Sequence, residues 1–284
     1  GLVFLDLILD IILERCSTEI LSGIKSEQYG RDLIMSAKYV FFDFETTGKG
    51  KVDPNNKRFG SKWEQILQVG AILVDENLQQ TNYTLDEYCR LRTSIIPQPG
   101  ALLTTKRDIK QALQADYSSY QLINRINEQF NEWKKESPST IFIGHNSINF
   151  DETLLEYNLF NNLLYPYITR PNRGDTINLA RGLYAANPSA ISTLSNEKGN
   201  PSFALPNLAE ANNLPVELAH DALSDVRTTI SLAKHIHDSD PEIWKQLQLT
   251  MNAKETIEYI NKNKAFSNVN FYFGKPFVHA LSLV

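Results

Sequence analysis

The apolar positions of the chain are densest in one short stretch, residues 39–48, which has the sequence YVFFDFETTG. Its first half is a run of apolar β-forming residues, which predicts a buried strand. Two acids, Asp43 and Glu45, interrupt this run two positions apart. Because the side chains of a strand alternate between its faces, both carboxylates are predicted to leave the same face.

Further apolar runs with strand or helix spacing follow this stretch. More strands are predicted at residues 66–75, 83–91 and 140–146. Helical spacing is predicted in six segments: 117–133, a helix beginning near Asp151, 177–184, 205–213, 221–237 and a connecting helix over 241–264. Strands first, and then helices alternating with strands, indicate an α/β sandwich.

Changes in the residue pattern divide the chain into four predicted parts. Residues 1–34 are predicted to be an N-terminal extension outside the fold, because their apolar start is short and is interrupted by acids. The main domain is predicted at 35–240 and is followed by the connecting helix at 241–264. Residues 265–284 are β-rich, and we expect them to be the beginning of a truncated small domain, since so few strands cannot bury their faces.

Composition narrows the class of protein only slightly. With 284 residues, 42% hydrophobic and 21% charged, the chain is an ordinary globular sequence with room for a sizeable core. A net charge of −5 gives no overall basic signature of a nucleic-acid binder, although a local groove can still be basic. Cys16 and Cys89 lie far apart, which favours a reducing compartment and a cytoplasmic protein. We expect no membrane association.

The acids of the first strand indicate a cation. Asp43 and Glu45 would repel each other at the end of a buried strand and lose hydration there. A cation between them removes this cost, and carboxylate oxygens are the hard ligands that Mg²⁺ or Mn²⁺ prefers. Taken alone, the pair fits two solvated acids at a strand end better, because short acidic motifs recur by chance.

Three downstream residues change that balance. Asp151 follows the NSINF segment at a predicted helix start, where a helix N-cap is the simplest role for it. Asp221 is the better N-cap of the late helix, which leaves Asp225 one turn inside it and in need of a partner. His220 directly precedes this cap, although a lone histidine is more often structural or solvated.

Together these residues form three motifs in a fixed order: FDFETTG at 42–48, GHNSINFD at 144–151 and HDALSD at 220–225. In these motifs the sequence resembles the DEDDh family of 3′→5′ exonucleases over about residues 38–240. Within that family it is similar to the bacterial exonuclease I group. This closer similarity is carried by four stretches: PQPGAL at 97–102, RGLYAANP at 181–188, PSF at 201–203 and AHDALSDV at 219–226.

The resemblance implies a fold and an activity. The implied fold is RNase-H-like, with a mixed five-stranded sheet flanked by helices. The implied activity is that of a metal-dependent 3′→5′ exodeoxyribonuclease in DNA repair or recombination, which degrades single-stranded DNA to 5′-mononucleotides. The implied partners are single-stranded DNA and, largely through domains that follow the exonuclease domain, single-strand-binding protein. We expect a monomer.

The resemblance also implies roles for individual residues. Two Mg²⁺ ions, for which Mn²⁺ can substitute, would be held by four acids: Asp43, Glu45, Asp151 and Asp225. His220, with an ordinary pKa of about 6.5, would be the general base that accepts a proton from the attacking water. Substrate contacts are expected at Glu45, Thr46, Thr47, Asn146, Phe150, Ser202 and Phe203. Ala204 stands where many relatives carry an arginine that contacts DNA.

Base stacking and helix capping add three further expectations. Phe203, Tyr184 and Phe44 are candidates for stacking on bases, with core packing favoured for Phe44. Asp175 is a candidate to cap the following helix or to support the site, and the cap is favoured.

Two other classes of function stay open at this point. One is a sibling of the same superfamily, an exoribonuclease or a proofreading exonuclease, and a comparison of DNA with RNA degradation distinguishes it. The other is a truncated or inactive nucleic-acid-binding module, which would bind metal or DNA without cleaving it.

Overall fold

The computed structural model describes residues 37–48, 51–52, 59–60, 64–105, 108–217, 221–272 and 274–282. The predicted extension at 1–34 and the predicted general base His220 lie outside these residues. None of the helices in the described ranges has the length and apolar character needed to cross a bilayer.

A mixed five-stranded sheet forms the centre of the molecule, as the family resemblance implied. The strands in chain order are β1 (Ala37–Thr46), β2 (Lys51–Val52), β3 (Phe59–Gly60), β4 (Ile66–Asp75), β5 (Gln80–Tyr88), β6 (Ile141–Gly144), β7 (Arg173–Asp175), β8 (Leu194–Ser195), β9 (Pro201–Ser202), β10 (Ala265–Tyr272) and β11 (Lys275–Ser282). The central order is β5-β4-β1-β6-β7, and three two-stranded pairs, β2–β3, β8–β9 and β10–β11, lie outside it. β4 is antiparallel to β1 and β5, whereas β6 is parallel to β1 and β7.

Helices cover the sheet. In chain order they are α1 (Pro99–Thr105), α2 (Ile109–Gln114), α3 (Ser119–Glu136), α4 (Asp151–Asn161), α5 (Thr176–Ala186), α6 (Leu205–Ala211), α7 (Ala222–Ser239), α8 (Pro241–Leu249) and α9 (Ala253–Asn263). The sequence did not predict α1 and α2.

The predicted connecting helix and the predicted strand over 83–91 differ from the structure. The connecting segment after residue 240 is two helices, because the chain breaks at Met251, whose side chain is buried. A Cβ at Gly174 of β7 would lie 2.4 Å from the Met251 sulfur, so the break seats this side chain against the sheet. The strand predicted over 83–91 is β5, which begins earlier because a turn after Asp75 returns the chain at once.

The alternation of side chains along β1 builds two cores. Phe42 and Phe44 belong to a core on one face, which includes Phe130 of α3 and Leu154 of α4. Tyr39 and Phe41 belong to the core on the other face, which includes Leu179 of α5, Leu208 of α6 and Val226 of α7. Asp43 and Glu45 continue the phase of Tyr39 and Phe41, so they leave the sheet on the α7 side.

Candidate functional site

Three carboxylates converge at the end of β1. Asp43 and Glu45 come from the strand and Asp225 comes from the first turn of α7. One carboxylate oxygen from each lies within 4.8 Å of the other two, and all three side chains are half-buried. The structure therefore brings together three of the four predicted metal ligands in one group.

A glycine on the neighbouring strand explains why α7 comes so close. Gly70 of β4 pairs directly with Asp43 of β1. A Cβ at Gly70 would lie 2.4 Å from the Ala222 carbonyl carbon and from the Leu223 nitrogen. Because Gly70 has no side chain, the first turn of α7 packs directly against the sheet. This places Asp225 close to the acids of β1. Sequence reasoning missed this residue, since a lone glycine in a strand signals only a close backbone approach.

Asp151 approaches the same strand from the opposite core. It is the first residue of α4, and its buried Oδ1 accepts a hydrogen bond from the backbone N–H of Phe44 at 3.2 Å. The N-cap position belongs to Phe150, which makes no side-chain cap. The N-cap role that suited Asp151 in isolation is therefore wrong, and its carboxylate is directed to β1 between Asp43 and Glu45.

Burial and mutual repulsion make these acids hard to ionise. Burial, and then the charges of Asp225 and Asp221, raise the pKa of Asp43 to about 8. Burial, and then the charge of Asp43, raise the pKa of Asp151 well above its ordinary value. A hard divalent cation stabilises the ionised form of several carboxylates that lie this close together. The residues present therefore fit a Mg²⁺ or Mn²⁺ site.

Asp175 organises the loop that leads to Asp151. Its carboxylate accepts backbone N–H groups from Asn146 at 2.7 Å, Ile148 at 3.2 Å and Ile177 at 3.1 Å. It therefore caps α5, which was the favoured prediction, and it also supports the loop before Asp151. Asn146 lies in the left-handed region with a φ of 62°, so these bonds hold a turn that few side chains adopt readily. Burial raises the pKa of Asp175 to about 7.

His145 is a site-loop residue that sequence reasoning did not single out, although it lies inside the second motif. Its Nδ1 lies 2.9 Å from the Thr176 hydroxyl, and its Nε2 lies 2.9 Å from the Phe203 carbonyl oxygen. Because a carbonyl can only accept, Nε2 carries the proton. Burial lowers the pKa of His145 to about 4, so the ring is neutral and ties the 201–204 stretch to the motif loop.

The predicted threonine contacts are part of a turn. Thr46 and Thr47 are buried. The Thr46 hydroxyl donates to the Gly48 carbonyl at 2.8 Å, and the Thr47 hydroxyl donates to Glu64 at 2.7 Å. The Gln98 N–H donates to the Thr47 carbonyl at 2.8 Å, so the PQPGAL stretch packs against this turn. Both threonine side chains are thus engaged within the protein.

Of the three predicted stacking residues, Phe44 and Phe203 are buried and Tyr184 is half-buried. Phe203 is 6% exposed, and its ring meets the rings of Tyr184 and Phe271 edge to face. These neighbours cover most of the Phe203 ring, and its role in substrate binding stays a prediction. Phe44 is a core residue, as favoured.

The remaining predicted contacts lie in β9 and in the loop before Asp151. The Ser202 hydroxyl accepts a hydrogen bond from Asn207 at 2.7 Å. Asn146 and Phe150 are half-buried in the loop before Asp151. Ala204 occupies the N-cap position of α6.

The start of α7 is built as predicted. Asp221 is its N-cap, and its Oδ1 accepts the Ser224 N–H at 3.1 Å. His220 itself lies outside the described residues; in the sequence it directly precedes this cap.

Comparison with known proteins gives three findings. A family model described as exonuclease matches residues 40–233. The exodeoxyribonuclease I of Buchnera aphidicola from Schizaphis graminum is 30% identical over 242 residues, which cover 83% of this chain and 47% of that protein. The crystal structure of Escherichia coli exonuclease I in complex with a dA16 oligonucleotide superposes with a TM-score of 0.73 at 26% identity, covering 86% of this chain and 51% of that one.

A further solved structure, of SSB/exonuclease I in complex with an inhibitor, has a TM-score of 0.64 at 26% identity and covers 74% of this chain and 44% of that one. The chain thus spans about half the length of the relatives it matches. These similarities confirm the RNase-H-like exonuclease fold that the motifs implied.

Proposed function

The chain belongs to the exonuclease family, and on this premise we propose that it is a 3′→5′ exodeoxyribonuclease that hydrolyses single-stranded DNA to 5′-mononucleotides. The observation that carries the proposal is the group formed by Asp43, Glu45 and Asp225, whose oxygens lie within 4.8 Å of one another. Support for a DNA substrate comes from the relatives, which include an exodeoxyribonuclease I and an exonuclease I solved with a dA16 oligonucleotide.

The metal ligands in this proposal are Asp43, Glu45 and Asp225, with Asp151 as the fourth acid. Asp43 occupies the middle of the group. It shares a strand face with Glu45, the charge of Asp225 acts on it, and its own charge acts on Asp151. We assign the site to Mg²⁺, with Mn²⁺ as a substitute. When bound, divalent ions would stabilise the charge that develops on the phosphate during hydrolysis.

The other residues bind the strand and move the proton. His220 takes the proton from the attacking water, since an ordinary histidine is neutral in part near pH 7. Glu45 also contacts the terminal 3′-hydroxyl. Asn146 and Phe150 contact the terminal nucleotide from the loop before Asp151. The further proposed contacts with the strand are Thr46, Thr47, Ser202 and Phe203.

The roles beyond hydrolysis follow from the relatives. We propose a part in DNA repair or recombination in the cytoplasm. Single-strand-binding protein is a proposed partner because a relative's structure is of SSB/exonuclease I. Binding of a peptide from its tail, measured with this chain alone, tests whether the half of the relatives' length present here is sufficient.

The deciding experiment is time-resolved digestion of 5′-labelled single-stranded DNA, single-stranded RNA and duplex DNA in Mg²⁺, with EDTA and an Asp43→Asn variant as controls. A ladder that shortens from the 3′ end of single-stranded DNA alone supports the proposal. Preference for RNA would replace it with a sibling exoribonuclease. Metal binding without cleavage of any substrate would replace it with a binding module.

A further inference from the structure

One glutamine links the central sheet to the start of α7. Gln68 of β4 is 2% exposed and pairs in register with Glu45 of β1. Its Nε2 donates to Asp221 at 2.9 Å and to Asp86 at 3.0 Å, and its Oε1 accepts the Ala222 N–H at 3.3 Å. Two of these three bonds go to the first residues of the helix that carries Asp225.

The cap of this helix is held from several sides. One oxygen of Asp221 accepts the Ser224 N–H within the helix. The other oxygen accepts both Gln68 and the hydroxyl of Tyr88, the latter at 3.2 Å. The carboxylate that begins α7 is therefore fixed to two neighbouring strands, β4 and β5, as well as to its own helix.

The bonds of Gln68 act at the place where α7 has least room to adjust. Gly70, two residues further along β4, is the position on which the Ala222–Leu223 backbone rests. Gly70 allows the close approach, and Gln68 fixes the direction of that approach through the Ala222 N–H and Asp221. Asp225 lies one turn further along the helix, and His220 immediately precedes the cap in the chain.

We propose that Gln68 is a positioning residue of the active site, which orients the first turn of α7 so that Asp225 meets Asp43 and Glu45. The inference rests on the exonuclease function proposed above. Gln68 touches neither substrate nor metal in this scheme, and it acts through Asp221 and the helix backbone. Tyr88 supports the same cap from β5.

The test compares two buried glutamines of the same segment. Gln68→Met removes the bonds to α7 and keeps a side chain of similar length. Gln65→Met is the matched control, because Gln65 is fully buried and its side chain bonds to Cys89, Arg90 and Arg92 and not to α7. Both substitutions remove buried hydrogen bonds, so they should lower thermal stability to a similar extent.

Only Gln68→Met should lower turnover on single-stranded DNA, by about 10-fold to 100-fold, which is what a small misplacement of catalytic groups costs. Its KM should stay within about 2-fold, since strand binding is unaffected, and Gln65→Met should keep kcat within about 2-fold of the unsubstituted chain. Equal losses of kcat in both variants, or none in Gln68→Met, would overturn the proposal.

Two further measurements cover the remaining outcomes. If Gln68→Met does not fold, Tyr88→Phe removes the second donor to Asp221 from a 37% exposed position, and it should lower kcat without lowering thermal stability. If the unsubstituted chain does not degrade DNA, the exonuclease proposal fails by itself. Mn²⁺ affinity then decides the positioning role: it should weaken in Gln68→Met and stay unchanged in Gln65→Met.

Discussion

At the scale of single residues, the Asp43 carboxyl is costly to ionise in the folded protein. Burial and the charges of Asp225 and Asp221 raise its pKa to about 8. We expect Asp43→Asn to abolish exonuclease activity even in excess Mg²⁺, because a neutral amide is a poorer ligand at the middle of the group. Thermal stability in EDTA should be kept or increased, since the substitution removes a group that resists ionisation in the folded protein.

Digestion of labelled DNA over a Mg²⁺ series measures the first expectation, and thermal unfolding in EDTA measures the second. Asp238→Asn is the matched control, because that carboxylate is exposed on the last turn of α7 and should leave both quantities unchanged. Recovery of full activity at high Mg²⁺ would argue against a central role for Asp43.

His220 has a different expected signature, because it is a base and not a ligand in the proposed site. His220→Ala should lower kcat by about 10²-fold to 10⁴-fold, the usual contribution of general acid–base catalysis. Mn²⁺ affinity should be mostly unchanged, since the carboxylates remain. Steady-state kinetics beside Mn²⁺ titration make the comparison. An unchanged kcat at equal metal affinity would remove His220 from the mechanism.

At the scale of elements, the contact between α7 and β4 determines whether the acids meet. Gly70→Ala would place a Cβ 2.4 Å from the Ala222 carbonyl carbon, so the helix start must move away from the sheet. We expect a loss of stability of about 1–3 kcal/mol, typical of overpacking, together with a large fall in kcat. The control is Gly100→Ala in α1, where an added Cβ meets nothing within 4 Å. Normal activity of Gly70→Ala would show that the site tolerates a displaced helix.

The same contact shows what the sequence could and could not predict. The positions of the long strands and helices follow from local periodicity, whereas α1 and α2 were not predicted. The Asp221 cap follows from residue type at a helix start. The hydrogen bond between Asp151 and the Phe44 N–H could not be predicted, because the two residues lie 107 positions apart in the chain. The bond from Gln68 to Asp221 could not be predicted either, because it spans 153 residues. Phe203 shows the same limit, since its ring contacts with Tyr184 and Phe271 join residues that are distant in the chain.

At the scale of the whole molecule, buried titratable groups give stability two opposing dependences on pH. The pKa of His145 is lowered to about 4 in the folded protein, so the folded state favours the neutral ring. Its contribution to stability is therefore complete above the ordinary pKa of 6.5 and is lost as pH falls toward 4. Asp175 and Asp43, with pKa values raised to about 7 and about 8, act in the other direction. Each favours folding while it is protonated, and that contribution is lost as pH rises from about 4 to its folded pKa.

Above pH 6.5 the histidine contributes no further change, so only the carboxyls remain and stability in EDTA should fall as pH rises to about 8. One buried carboxyl that must ionise over this range costs about 2 kcal/mol, which corresponds to a few degrees in Tm for a chain of this size. A divalent cation binds the ionised form, so the Tm increase produced by Mg²⁺ should be larger at pH 8 than at pH 6.5. Thermal unfolding at both pH values, with Mg²⁺ and with EDTA, measures the difference. In Asp43→Asn the increase should largely disappear, whereas an increase independent of pH in the unsubstituted chain would place Mg²⁺ away from these acids.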